Sequence, residues 1–334
     1  MALINTEEHS EQLRRKGIIQ ERQQVLITQF PGSTQSKDLT LPYNCSGFGR
    51  IHHFHRESSP GFPENPLPID PAHHALQLPF ENLVRVQVFQ NAVCSWRCWY
   101  CFVDYNLLSG NLKHAAYLTA DELLDLYQAE EQPLPIIDLS GGQPDLVPEW
   151  TLWIIDAIRR RGLKGEVYVW SDDNLSNDYL WSNLTKEEVN RLADSTLYGR
   201  VGCFKGFDPA SFSFNTNAVS ALFDYQFVIM KRLIESRIDM YGYVTLTAQT
   251  ADGLRDKMVD FMDQIQERIH PNFLLRTIPL PIKEFTPTSL RMNDSHHQAI
   301  KIQQEAVAVW NDELQKRFTS EERSKRVFEH RIWS

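Results

Sequence analysis

From residue 84 onward, short apolar runs of strand length alternate with segments whose apolar residues recur at helical spacing. The predicted strands cover residues 84–89, 136–139, 167–170, 201–204, 241–246 and 273–278. Between them, capping boxes at Thr119 and Thr185 and a proline at Pro148 each open a helix. Two more helices have apolar faces, at residues 219–234 and 254–265. Six β–α steps predict an α/β fold with a parallel sheet, an open partial (β/α)6 TIM-like barrel.

The segments on either side of this barrel have a different pattern. Residues 1–83 form a predicted extension, with a helix at about 6–24 and then an irregular stretch that contains eight of the 17 prolines. The same stretch carries five histidines, His52, His53, His55, His73 and His74. Their spacing fits no compact zinc motif, which favours a wrapping extension over a metal site, with substrate binding as the second interpretation. Residues 84–282 are the predicted barrel, and residues 283–334 a helical segment with an amphipathic helix at 295–317.

Composition narrows the functional classes. A net charge of −9 argues against a general nucleic-acid-binding surface. No apolar run reaches the length of a membrane span, and the first residues lack the basic and apolar regions of a signal peptide. We therefore expect a cytoplasmic protein with no membrane partner.

Three of the five cysteines lie close together, as Cys94, Cys98 and Cys101 in a Cys-x3-Cys-x2-Cys pattern. This clustering suits metal ligation in a reducing compartment better than a disulfide framework. Three thiolates around an iron–sulfur cubane would leave one iron open to another ligand. The spacing alone leaves a second possibility, a non-catalytic binding protein stabilised by zinc, with a distant fourth ligand such as His114.

Unusual polar or glycine-rich clusters follow four consecutive predicted strands of the barrel. After the cysteines come Ser140-Gly141-Gly142-Gln143-Pro144, then Ser171-Asp172-Asp173-Asn174, then Lys205-Gly206. In β/α barrels the carboxyl ends of the strands face the active site. The sequence therefore predicts that these clusters meet at one rim.

The cysteine loop, with the aromatic Tyr100 before its third cysteine, resembles that of the radical S-adenosylmethionine (radical SAM) superfamily. Lys205-Gly206 is similar to the lysine-bearing strand of its activating-enzyme-like branch. The resemblance implies that the three cysteines hold a [4Fe–4S] cluster whose open iron binds S-adenosylmethionine. Reductive cleavage would give a 5′-deoxyadenosyl radical that abstracts hydrogen from a substrate. The resemblance also implies an electron donor such as flavodoxin or ferredoxin. It leaves the substrate open between a peptide or protein and a small molecule or nucleotide.

The same resemblance implies roles for the glycine-rich cluster. Ser140, Gly141 and Gly142 match the family's Gly-Gly-Glu-Pro region, which receives the methionine amino group of S-adenosylmethionine. Glycine lets a ligand approach the backbone without a Cβ. Gln143 departs from the motif, because a carboxamide replaces the glutamate and offers an acceptor without a charge.

The later strand ends supply the remaining candidates for cofactor binding. Ser171, Asp172 and Asn174 resemble the family's ribose and carboxylate motif, with Asp172 as the first choice, although a helix cap or a turn would explain them equally. Lys205 is placed to meet the S-adenosylmethionine carboxylate or an anionic substrate, or else faces solvent at the rim. Cys203 shares its strand face and is a candidate hydrogen-atom donor or a small buried hydrophobe. Further candidate pocket residues are Tyr243, Thr245, Thr247 and Arg276.

Overall fold

A computed structural model describes residues 3–333 of the chain. Its strands are β1 (Ile18–Ile19), β2 (Gln24–Thr28), β3 (Gly49–His55), β4 (Leu83–Phe89), β5 (Ala115–Thr119), β6 (Ile136–Leu139), β7 (Tyr168–Asp173), β8 (Tyr198–Phe204), β9 (Met240–Val244) and β10 (Thr277–Pro279). Its α-helices are α1 (Thr6–Gly17), α2 (Ile69–Leu76), α3 (Ala120–Gln128), α4 (Glu149–Arg160), α5 (Tyr179–Asn183), α6 (Lys186–Ala193), α7 (Pro209–Thr216), α8 (Phe223–Glu235), α9 (Leu254–Arg268), α10 (Thr286–Ser289), α11 (Asp294–Arg317) and α12 (Ser320–Ser324). No helix in the described range is both long and apolar enough to cross a bilayer.

The main sheet has the strand order β10-β9-β8-β7-β6-β4-β3 and curls into a half-barrel. From β4 to β10 each strand of this order runs parallel to its neighbour, and helices intervene along the chain. Six parallel strands confirm the predicted partial (β/α)6 barrel. The long helix α11, which packs on α9, confirms the predicted C-terminal helix.

The two faces of the sheet have different surroundings. The outer face and the surrounding helices form the larger apolar core, with strand residues that include Phe89, Leu139 and Val169. The inner face carries a smaller core of Val86, Val88, Tyr168, Trp170, Val201, Cys203, Tyr241 and Tyr243. Because side chains alternate along a strand, odd and even positions of β7 and β8 face opposite sides. This alternation decides which candidate residues reach the barrel interior.

The N-terminal extension contributes a strand that the sequence analysis missed. β3 pairs antiparallel with β4 over its whole length and becomes the edge of the half-barrel. The prediction of an irregular stretch is therefore wrong for Gly49–His55. The strand carries Arg50 and three histidines instead of an alternating apolar face, so its sequence has no strand pattern, and pairing with β4 determines its conformation. A separate small sheet joins β1, β2 and β5.

Local capping signals were more reliable than apolar periodicity. Both predicted capping boxes, at Thr119 and Thr185, are present with their reciprocal hydrogen bonds. The helix predicted from Val219 begins at Phe223, because Val219 is extended and precedes a 3-10 turn. Helix α7 was not predicted, although Asp208 caps it and a proline occupies its first turn.

Two predicted boundaries also moved. The first helix ends at Gly17, not near residue 24, because the β-branched residues Ile18 and Ile19 pair with β2. The last predicted strand, residues 273–278, begins as a 3-10 turn, and only Thr277–Pro279 pair with β9.

Candidate functional site

The cysteine loop follows β4 directly and is largely enclosed. Cys94 and Cys98 are each 8% exposed, and Cys101 is partly buried. The Cys94 amide donates to the Leu108 carbonyl at 3.0 Å, and the Cys101 amide donates to the Cys98 carbonyl at 3.1 Å. These bonds hold the loop in a compact turn at the carboxyl end of the first parallel strand.

The three thiols act on one another electrostatically. Burial raises the pKa of Cys94 to about 12, and its neighbours Cys98 and Cys101 add to this rise. Burial also raises the pKa of Cys98, while the Lys205 ammonium opposes the rise. Two buried thiols of this kind, Cys94 and Cys98, keep their protons unless a bound cation stabilises the thiolates.

Residues far along the chain brace the loop, and the sequence analysis missed them. The Arg291 guanidinium donates to the carbonyls of Cys101 and Cys98, the latter at 3.4 Å. The Trp99 indole donates to Asn215 Oδ1 at 3.1 Å and stacks on His296 at 4.5 Å. Arg291 and His296 belong to the C-terminal segment, so that segment covers the cysteine loop. No local motif marked them; the N-terminal signal of α7 would have indicated a helix near Asn215.

The loop after β6 lies so close to the residues that follow β4 that only glycine fits at positions 141 and 142. Gly141 has φ +95°, and a Cβ there would lie 2.3 Å from Gln90 Oε1. A Cβ at Gly142 would lie 1.9 Å from Asn91 Oδ1 and 2.1 Å from the Asn91 carbonyl oxygen. The absent side chains therefore let this loop lie against the segment that leads into the cysteines.

Gln143 connects three loops through its carboxamide. Its Oε1 accepts from the Ser95 amide at 2.7 Å and from the Ser95 hydroxyl at 2.9 Å. Its Nε2 donates to Asp145 Oδ2 at 2.8 Å and to Ser176 Oγ at 2.7 Å. The side chain is fully buried, and both ends of the carboxamide are engaged within the protein. Gln143 therefore positions the cysteine loop.

The candidate cofactor-binding residues at the end of β7 lie on different faces of the sheet. Asp172 faces the barrel interior and accepts from the Ser140 hydroxyl at 2.7 Å. Ser171 lies on the outer face, where its hydroxyl meets the Tyr198 hydroxyl at 2.8 Å. Asn174 reaches the cysteine loop, with its Nδ2 3.7 Å from the Cys94 sulfur. The structure thus brings Ser140, Asp172 and Asn174 together at the rim and places Ser171 away from them.

The end of β8 adds a cation and a thiol to the same interior. Cys203 is buried on the inner face, and burial raises its pKa to about 12, so it is a neutral thiol. Lys205 is half-buried. Burial lowers the pKa of Lys205, whereas negative charge on the neighbouring Cys203 and Tyr100 would raise it well above its ordinary value. Tyr100 accepts from the Thr245 hydroxyl at 3.1 Å, which ties the cysteine loop to the chain after β9.

The other candidate pocket residues have structural partners. The Thr247 hydroxyl donates to Asn215 Oδ1 at 2.7 Å. The Tyr243 hydroxyl donates to the Leu67 carbonyl at 3.3 Å. Arg276 lies at the opposite end of the barrel, paired with Asp239 at 2.6 Å. Arg276 is therefore not a rim residue, because it precedes β10 instead of following it.

A cavity of about 650 Å³ lies at that opposite end, at the start of β7 and β9. Tyr168, Asp239, Tyr241 and Phe328 line it. The predicted histidines are divided between two elements, three on β3 and two on α2, where His74 stacks on Phe328 at 4.1 Å. In β/α barrels this end serves stability, so the cavity does not compete with the cysteine rim as a catalytic site.

The donor set at the rim fits an iron–sulfur cluster. In the described residues, no three His, Cys, Asp or Glu side chains converge where a single metal ion would bind. A four-iron cluster requires no such convergence, because each of three irons would take one cysteine sulfur and the fourth would stay open. Cys94, Cys98 and Cys101 offer three sulfur ligands on one loop, two from buried residues and one from a partly buried residue, with the Lys205 ammonium nearby to offset the negative charge of the thiolates.

No family model matches the chain, and no curated protein matches it in sequence. Solved structures align with part of it. SuiB of Streptococcus suis bound to precursor peptide SuiA is 18% identical, with a TM-score of 0.39 over 55% of this chain and 37% of that one. Native anSMEcpe with bound AdoMet and a peptide is 11% identical, with a TM-score of 0.40 over 60% of this chain and 50% of that one. The alignments span at most half of these two neighbours, and similarity this low carries no argument about function.

Proposed function

We propose that this protein is a radical SAM enzyme. The observation that carries the proposal is the meeting of four sequence clusters at the carboxyl ends of β4, β6, β7 and β8. A cysteine triplet, a glycine pair, an interior aspartate and an interior lysine all lie on one rim of an open (β/α)6 sheet. Scattered structural motifs have no reason to gather on the rim that β/α barrels use for catalysis.

Cys94, Cys98 and Cys101 would hold a [4Fe–4S] cluster with one iron left open. When bound, the cluster supplies the electron that cleaves S-adenosylmethionine and generates a 5′-deoxyadenosyl radical able to abstract hydrogen. A flavodoxin or ferredoxin would supply that electron in the cytoplasm. The protein's contribution is to position the reactants and set the electrostatics around them.

The residues assigned to S-adenosylmethionine surround the cysteine loop. The residues proposed to contact S-adenosylmethionine are Tyr100, Ser140, Gly141, Gly142, Asp172, Asn174 and Lys205. Asp172 suits ribose hydroxyls, because a carboxylate accepts paired hydrogen bonds. The Lys205 ammonium offers a positive charge to the methionine carboxylate. Gln143 would not contact S-adenosylmethionine, because its carboxamide is hydrogen-bonded within the loops. Ser171 would not contact it either, because its hydroxyl lies on the outer face of the sheet.

Cys203 is the proposed catalytic group next to Lys205. As a neutral thiol on the inner wall, it has a hydrogen atom to give to a substrate radical. The substrate lies deeper in the half-barrel, on the inner faces of the strands.

The metal content of the protein tests this assignment. Protein purified without oxygen should contain about four irons and matching sulfide per chain. Cys98→Ala should lose most of that iron, whereas Cys45→Ala, which removes a buried cysteine outside the loop, should retain it. Stoichiometric zinc without iron would contradict the proposal and favour the zinc-stabilised binding protein.

A further inference from the structure

Arg50 is a buried cation on the inner wall of the half-barrel. It lies on β3, and its register with Val88 directs its side chain to the inner face. The residue is 5% exposed. Arginine is among the residues least often buried without a partner, because its guanidinium has five donors and always carries its charge.

The guanidinium of Arg50 has no ion-pair partner. No carboxylate in the part of the chain that the structure describes lies within 4.0 Å of it, and its Nε has no hydrogen-bond acceptor. Its direct contact is the Phe102 ring, at 5.4 Å from Cζ. Burial lowers the pKa of Arg50 to about 10, although Asp138 and Asp172 act in the opposite direction from beyond contact distance. Arg200, which is also buried, differs from Arg50 because it pairs with the Asp173 carboxylate at 2.5 Å.

Asp138 is the second unsatisfied group on the same level of the barrel. It pairs in register with Val88 on the neighbouring strand, so it shares the inner face and the level of Arg50. It is 2% exposed, and its Oδ1 has no hydrogen-bond partner. The Arg50 Nε and the Asp138 Oδ1 are thus both buried at one level of the interior without satisfying each other.

We propose that Arg50 binds an oxyanion, a carboxylate or a phosphate, on the substrate, while Asp138 bonds a hydroxyl or amine of the same molecule. The planar guanidinium matches either oxyanion through two parallel hydrogen bonds. Unpartnered buried polar groups destabilise the free protein. A ligand that hydrogen-bonds to both Arg50 and Asp138 would remove that destabilisation.

The position of Arg50 along the barrel orients the ligand. The Ser140–Asp172 pair lies two residues closer to the cysteine rim, which is about 7 Å along a strand. Trp170 shares the level of Asp138 and belongs to the apolar inner core. The anionic end of the substrate therefore points away from the cysteines, and its uncharged part lies beneath the cofactor site.

Thermal unfolding of the full-length protein, purified without oxygen, tests the site. This inference rests on the proposed function, because it takes the ligand to be the enzyme's substrate. Its readout, however, needs neither cofactor nor turnover. Orthophosphate and acetate are the two probes, each at fixed ionic strength against sodium chloride. At ten times its Kd, the binding probe should raise the Tm of the wild type by about 2 °C. Which probe acts distinguishes a phosphate from a carboxylate.

Arg50→Met should abolish this response and, without anion, unfold at or above the wild-type Tm, because an unpaired buried charge is gone. Arg85→Met, on the outer side of β4 and exposed, should respond like the wild type. If Arg50→Met fails to fold, Arg50→Lys serves in its place, with anion affinity at least about tenfold weaker because the fork is lost. Failure of both anions to stabilise the wild type, or an unchanged response in the Arg50 variants, overturns the proposal. Loss of iron from the wild type would instead affect only the proposed function.

Discussion

Gln143→Glu would restore the glutamate of the motif that this loop resembles, and we expect it to destabilise the protein. The carboxamide is oriented by its partners: the Ser95 amide requires an acceptor at one end, and Asp145 requires a donor at the other. Glutamate keeps the acceptor and loses the donor. It also places a second carboxyl where Nε2 now lies 2.8 Å from Asp145.

The magnitude follows from the lost bond and the new repulsion. A hydrogen bond to a charged group contributes about 1.5–3 kcal/mol, and two buried carboxylates in contact must share a proton. We expect a total of about 3 kcal/mol at pH 8, or a fall in Tm of about 4 °C. Gln304→Glu, at an exposed position on α11, should change stability by less than about 0.5 kcal/mol.

The effect should depend on pH in a defined direction. Burial and then Asp173 already raise the pKa of Asp145 to about 6 in the wild type. A raised carboxyl pKa stabilises the folded state below the unfolded-state pKa of about 4, and that stability is lost as pH rises through the folded-state pKa. A second carboxyl at position 143 adds another group of this kind. The stability gap between Gln143→Glu and the wild type should therefore be smaller at pH 5 than at pH 8.

Urea unfolding followed by circular dichroism at both pH values measures the gap. Adding Asp145→Asn to Gln143→Glu should recover about half of it, because the new amide donates to the glutamate but then faces the Asn177 amide. A Gln143→Glu variant as stable as the wild type at pH 8, or a gap independent of pH, would refute the account of Gln143 as a loop connector.

Three further variants test the structure around the site. Arg200→Met should cost about 3–5 kcal/mol in urea unfolding, because it leaves the Asp173 carboxylate buried and unpaired; a loss below 1 kcal/mol would contradict the pairing. Thr119→Ala removes the capping-box hydroxyl of α3 and should cost about 1 kcal/mol, and an unchanged urea midpoint would argue against the cap. Asn215→Leu removes the acceptor of the Trp99 indole and should lower both the Tm and the iron retained per chain; full iron retention would show that the loop does not need this brace.

The sequence was informative where chemistry and secondary structure coincide. Cys94 and its neighbours follow a strand, and capping residues such as Thr119 act within a few positions of themselves, so local reasoning located them. Strand alternation, applied to the observed strands, places Asp172 and Cys203 on the inner face.

What the sequence could not supply are contacts made over long chain separations. Arg50 lies on a strand without an apolar pattern, and only its pairing with β4 brings it into the barrel. Arg291 reaches the cysteine loop across 190 residues, and no local feature distinguishes it from a surface arginine. The role of Gln143 depends on Ser95 and Ser176, each more than 30 residues away. Such partners follow from tertiary packing and not from spacing.

The central claim is that the rim holds a cluster able to cleave S-adenosylmethionine reductively. The most direct measurement incubates protein purified without oxygen with dithionite and S-adenosylmethionine and quantifies 5′-deoxyadenosine. The account predicts its release by the wild type and by Cys45→Ala, and none above background by Cys98→Ala. Equal release by Cys98→Ala, or no release by wild-type protein that contains its full iron and sulfide, would contradict it.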